Sequence, residues 1–153
     1  MKENKEKGFT LIELLAVITI ISILSSLAFA SFRNSIKKAK IAKAISDISI
    51  IYKSIILYET DNDKLPDTLE ELSPTYLRKI PLDPWGEKYQ YLNFAISTIH
   101  QRKDGPIVPI NTKFDLYSKG ENRKTTPNIR SVPGRDDIIL ANDGEFIGLA
   151  EDF

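Results

Sequence analysis

Between Phe9 and Phe32 the sequence holds a single charged residue, Glu13, set among Leu, Ile, Val, Ala and Phe. A carboxylate in an apolar span costs several kcal/mol at the bilayer centre and less near its edge, so it calls for a partner. An amine would serve. If the chain is cut before Phe9, the new terminal ammonium can pair with the Glu13 carboxylate of a neighbouring copy, offsetting the burial of both and setting an axial stagger between helices. The plainer reading leaves Glu13 among lipid headgroups. Little else in the sequence suits a catalyst. There is no cysteine, which removes thiolate nucleophiles, thiolate metal sites and disulfides, and His100 is the sole histidine. Acid–base chemistry would have to rest on carboxylates or lysines. No Gly-x-Ser-x-Gly and no phosphate loop occur. Asp61 and Asp63 hint at an ion, but no glycine or distal glutamate completes an EF-hand loop, and they read as a helix stop.

The elements that would carry Glu13 begin with a polar stretch, Met1 to Gly8 (MKENKEKG), which contains three lysines. From Leu14 to Phe32 there follow 19 uncharged residues. At about 1.5 Å per residue that run matches a hydrocarbon core of about 30 Å, so it is long enough to cross a membrane. A cleaved secretory signal would need an apolar region of only about 7 to 15 residues, with its cut at small residues such as Ala28-Phe29-Ala30. The glycine at the polar-to-apolar junction favours a different cut, one that keeps the helix.

After Arg33 the pattern turns amphipathic: Ile36, Ala39, Lys40, Ala44, Ile48, Ile51, Ile55 and Tyr58 recur at spacings of three and four, with Lys37, Lys38, Lys43, Asp47 and Lys53 between them. One helix from Phe9 to Glu59 is the simplest reading, ended by Asp61-Asn62-Asp63-Lys64-Leu65-Pro66. The basic cluster Arg33, Lys37, Lys38, Lys40 and Lys43 competes with the leader lysines for the cytoplasmic side. Thr68 to Leu72 reads as a short helix capped by Pro66-Asp67. Strands are expected at 88–92, 113–118, 137–140 and 145–149. The fold class is α+β, a long N-terminal helix packed on a small antiparallel sheet. The organisation is a leader over 1–8, a transmembrane and assembly helix over 9–32, its amphipathic continuation over 33–62 and a globular domain over 63–153. With 21 basic and 21 acidic residues in a chain of 153, there is no global basic surface for nucleic acid.

Gly8-Phe9-Thr10-Leu11-Ile12-Glu13-Leu14-Leu15 (GFTLIELL) resembles the processing site of type IV prepilins and type II secretion pseudopilins. In that family a membrane peptidase removes the leader after the glycine and methylates the new terminal phenylalanine. The resemblance implies Gly8 as the leader's last residue, Phe9 as the methylated terminus and Glu13 as the assembly carboxylate. Where many members carry a proline in the span, this chain has Ala30, and its first proline is Pro66. Ser25, Ser26 and Ser31 could loosen the helix there instead. Farther on, Asp83-Pro84-Trp85-Gly86, Tyr89, Tyr91, Phe114 to Gly120 and Gly134-Arg135-Asp136-Asp137-Ile138 are similar to the major pseudopilin of type II secretion.

In major pseudopilins the late loop holds one calcium ion, which takes about six to eight oxygens. The resemblance implies Asp136 and Asp137 as carboxylate ligands, the Lys119 carbonyl as a backbone ligand, and Asn122 where the family has aspartate. Glu121, Asp143 and Glu145 are substitutes. The loop between Gly120 and Gly134 also carries Arg123, Lys124 and Arg130, with Arg135 just beyond. The alternative is that Asp136 and Asp137 cap a turn. Trp85 is expected to pack on the sheet and Gly86 to supply a glycine-only backbone angle.

The resemblance implies a non-enzymatic subunit that assembles through its N-terminal helix into a periplasmic pseudopilus driving protein export. Its partners would be further copies of itself in a helical filament, minor pseudopilins, the prepilin peptidase, the inner-membrane assembly platform and the membrane. It would be anchored by one pass in the inner membrane, with the C-terminal domain in the periplasm. A type IV pilus or competence pilin is the nearest alternative. A membrane-anchored periplasmic enzyme or binding domain is the alternative from another class.

Overall fold

The computed structural model describes residues 8–153, with side chains for all of these except 26–31. The leader expected over 1–8 therefore falls, save Gly8, outside the described residues. Helix α1 runs over Leu11–Asn62, continuous through Ala30. It starts two residues later than expected because Thr10 and Glu13 form a capping pair: the Glu13 carboxylate accepts from the Thr10 backbone N–H at 2.8 Å and from its hydroxyl at 2.7 Å. The hydroxyls of Thr19 and Ser22 donate to the carbonyls of Leu15 and Ile18, both at 2.7 Å, without ending the helix. At the other end Asp63, at φ 53°, turns the chain out of the helix.

Two compact units divide within α1, one over Met1–Lys38 and one over Ala39–Phe153. In the first, the apolar side chains from Leu11 to Leu24 are exposed on every side of the helix. Among the described residues no helix is long and apolar enough to cross a membrane. The run expected to do so, Leu14 to Phe32, includes 26–31, whose side chains are not among those described.

In the second unit the amphipathic stripe works as its spacing predicts. Ala44, Ile48, Ile51 and Ile55 are fully buried and pack against Leu69, Leu72, Tyr89, Phe114, Leu116, Ile138 and Leu140. Asp47 corrects the expected polar face, since it is buried, accepting a hydrogen bond from the Tyr89 hydroxyl at 3.0 Å and from Lys43 at 2.5 Å. The short helix is a 3-10 turn over Leu69–Leu72 that follows Thr68. Its start is fixed by Glu71, whose carboxylate accepts from the backbone N–H groups of Asp67 and Thr68, rather than by a Pro66-Asp67 cap.

The sheet has four antiparallel strands in the order β1 (Gln90–Asn93), β4 (Phe114–Ser118), β5 (Ile138–Ala141), β6 (Phe146–Leu149). All four expected strands are present, each within two residues of its predicted bounds. A two-stranded ribbon, β2 (Lys103–Asp104) with β3 (Val108–Pro109), was not anticipated. Every residue of β5 is buried. One face of the sheet meets the helix, and the other covers a second cluster of Ile110, Ile129, Ile139, Ala141 and Ala150.

Candidate functional site

Two regions hold the residues singled out by the sequence. At the N-terminus Gly8 and Phe9 precede the helix and are exposed, Phe9 to 83%. Glu13, in the first turn, sits where the amide dipoles of a helix favour negative charge. Its carboxylate is held by Thr10, a contact that the sequence reading missed. The Thr-x-x-Glu spacing was the available signal.

The second region is the late loop, which joins β4 to β5. It departs from β4 at Gly120, whose φ of +64° places the position of a Cβ 2.0 Å from the Asp136 carbonyl oxygen. Only glycine allows that approach. Asp136 accepts from the Asn122 backbone N–H at 2.8 Å and from its side-chain amide, which also donates to the Pro133 carbonyl at 3.1 Å. The amide oxygen of Asn122 in turn accepts from the Lys124 N–H at 2.5 Å. Asn122 and Asp136 are thus brought together, with the amide clamping the two ends of the loop.

Asp137 goes elsewhere. It is fully buried and paired with the guanidinium of Arg102, itself 1% exposed. Arg102 also donates to Thr125 and to the Thr126 carbonyl, the latter at 2.6 Å, and lies over the Tyr117 ring at 4.3 Å. Its backbone N–H donates to buried Asp115 at 2.6 Å, and Asn111 donates to the same carboxylate at 3.0 Å. The Thr125 hydroxyl adds a further hydrogen bond to Asp137 at 2.5 Å. Burial pushes the carboxyls of Asp115 and Asp137 up to about 6, against the pull of Arg102 and these donors. Sequence reasoning missed Arg102, since 35 residues separate it from Asp137 and no motif joins them.

These residues do not fit a calcium ion. Both carboxylates already have nitrogen partners, Asn122 on Asp136 and Arg102 on Asp137, where a hard cation wants oxygens alone. Asp143, a possible substitute, accepts from the N–H and hydroxyl of Thr112, each at 2.8 Å. Among the described residues no group of three acidic or histidine side chains is arranged to hold a metal.

Asp83, of the Asp-Pro-Trp-Gly turn, is a further residue that sequence reasoning passed over. It is buried, and its carboxylate accepts from the N–H groups of Trp85 and Glu87 at 3.0 and 2.8 Å and from the Ser118 hydroxyl at 2.6 Å. Gly86 has φ +89°, as expected, and Trp85 is partly buried against the main core. Arg123 donates to the Trp85 carbonyl at 2.7 Å, tying the late loop to this turn.

Comparison with known proteins adds to this geometry. Residues 4–29 match the prokaryotic N-terminal methylation motif, and residues 31–101 match the family described as type II secretion system protein G. The chain is 35% identical over 141 residues to the type II secretion system core protein G of Pseudomonas aeruginosa, a match spanning 81% of this chain and 89% of that one. With the core protein G of Escherichia coli K12 it shares 36% identity over 139 residues, 79% of this chain and 96% of the relative. The Klebsiella michiganensis protein of the same name is 29% identical over 156 residues, 91% and 94% of the two chains.

Proposed function

The chain belongs to the type II secretion system core protein G family, and from that premise we propose how its N-terminal helix performs the family's work. The protein is a pseudopilus subunit of type II secretion, and its family is structural rather than enzymatic. It assembles with other components of the secretion machinery and is anchored in a membrane with a periplasmic domain.

The leader is removed after Gly8 and the amino group of Phe9 is methylated. The mature chain crosses the inner membrane once, with the domain that follows in the periplasm. Copies then associate through their first helices into a helical filament. The prepilin peptidase, the inner-membrane assembly platform and minor pseudopilins are the partners at successive stages.

The observation that carries this reading is the first unit. Ten apolar side chains between Leu11 and Leu24 are 45% to 82% exposed, on all sides of a helix whose only charge in that stretch is Glu13. A surface of that kind requires lipid before assembly and other helices after it. Glu13 is the fifth residue counted from Phe9. Held by Thr10 in the first turn, its carboxylate is aimed before any partner arrives, which lowers the ordering cost of pairing with a neighbour's terminal ammonium.

Mass spectrometry of the chain extracted from membranes tests the processing. The expected product begins at an N-methylated Phe9. An intact Met1, or a chain cut after Ala30, contradicts the reading.

A further inference from the structure

A buried arginine in a small domain is costly unless its donors and its charge are both answered. The late loop answers the charge of Arg102 and both its terminal nitrogens, leaving only Nε without a partner. One terminal nitrogen reaches Thr125 and the Thr126 carbonyl, the other reaches Asp137, and the guanidinium plane lies on Tyr117. The residue thus contacts the loop's second half and its return into β5 at once. Its own segment is tied to the loop by backbone, since Lys103 N–H donates to the Pro127 carbonyl at 2.8 Å and Ile129 N–H to the Lys103 carbonyl at 3.0 Å.

We infer that Arg102 is the fixed cation of the late loop, taking the place of the divalent ion that the family resemblance implies, so that this chain orders residues 120–137 without calcium. A divalent ion organises such a loop by drawing carboxylates and carbonyls to one positive centre. Here the positive centre is covalently part of the chain and draws a carboxylate, a hydroxyl and a carbonyl. The remaining carboxylate, Asp136, accepts hydrogen bonds from two uncharged donors of Asn122.

The charge pattern agrees. Arg123, Lys124 and Arg130 lie in the loop and Arg135 just after it, with Arg123 donating to the Trp85 carbonyl and Arg130 paired with Asp104 on the ribbon next to Arg102. These cations lower the net negative charge that a dication would meet, whereas the Arg102 guanidinium is held in place by the chain. Asp137 leaves one carboxylate oxygen without a hydrogen-bond partner, as does the Nε of Arg102. That single oxygen, beside a guanidinium, falls well short of the six to eight that calcium takes.

Thermal unfolding of the full chain in detergent micelles tests this, together with amide hydrogen exchange of residues 120–137, each in chelator and in millimolar calcium. The wild-type chain should melt at the same temperature in both and show a protected loop in chelator. Arg102→Met should lose the loop's protection in chelator and melt roughly 10 °C lower, as breaking a buried pair implies. Should that variant fail to fold, the wild-type chain compared in chelator and in calcium decides alone. A calcium-dependent rise of about 10 °C in the wild-type chain, the size expected of a saturating ligand, overturns the inference. So does a loop protected only in calcium, or an Arg102→Met chain whose loop stays protected in chelator.

Discussion

Asp83→Ala should destabilise the Ala39–Phe153 unit by about 3 kcal/mol, because the carboxylate holds three donors and the methyl group holds none. Each lost bond is worth about 1 kcal/mol, below the value for a fully buried charged acceptor, since the turn around Trp85 and Glu87 is half-buried and water can partly replace the carboxylate. In a unit of this size that corresponds to a fall of roughly 10 °C in melting temperature. Asp83→Asn separates acceptors from charge. Its amide oxygen can still take the Trp85 and Glu87 N–H groups, and its amide nitrogen can donate to Ser118, which leaves a loss of about 1 kcal/mol. Trp85 is the chain's only tryptophan and packs against the core beside the mutated position, so its fluorescence reports unfolding of this unit in the full chain. An Asp83→Ala chain within about 1 kcal/mol of wild type, or an Asp83→Asn chain as damaged as Asp83→Ala, would refute this role for the carboxylate.

Three other substitutions probe different forces. Ile51→Ala, at a fully buried position on the helix stripe, should cost about 3 kcal/mol in urea unfolding, through lost transfer energy and the cavity left behind. Gly120→Ala should cost about 3 kcal/mol or more, since it adds left-handed strain to a backbone clash with Asp136, and hydrogen exchange should locate the loosening in the late loop. Asp115 has its carboxyl raised to about 6 by burial, so its contribution to stability is fully present below the unfolded value of about 4 and is lost as pH rises through 6. Wild type should therefore lose about 3 kcal/mol relative to Asp115→Asn between acidic and neutral pH; parallel stability curves for the two proteins would contradict this.

The parts of the fold that sequence conveys best are those governed by periodicity. Ala44, Ile48, Ile51 and Ile55 announce a buried helical face, and alternation around Tyr91 and Phe114 announces strands. Asp47 escaped the same logic. Its polarity suggested solvent, yet two long side chains, Tyr89 and Lys43, reach its carboxylate and make burial tolerable. The ribbon over residues 103–109 escaped because two-residue strands carry no period to read. The N-terminal motif was legible because its parts are contiguous: Gly8, Phe9 and Glu13 lie within one turn or two of chain, inside the residues 4–29 that match the methylation motif. Arg102 was not, because its partners arrive from β4, from the late loop and from the segment before β5. Similarity of residues around Asp136 and Asp137 pointed to an ion. The partner that folding brings to Asp137 lies far away in sequence, beyond any local motif.

If the first helix, with Glu13, builds the filament while the remaining domain folds on its own terms, the two can be separated by one substitution. Glu13→Ala in a cell that carries the complete secretion system tests both halves at once. Filaments and export should be lost, while Trp85-reported unfolding of the purified variant matches wild type. Filaments and export at wild-type levels in the Glu13→Ala strain would contradict the assembly role of this carboxylate.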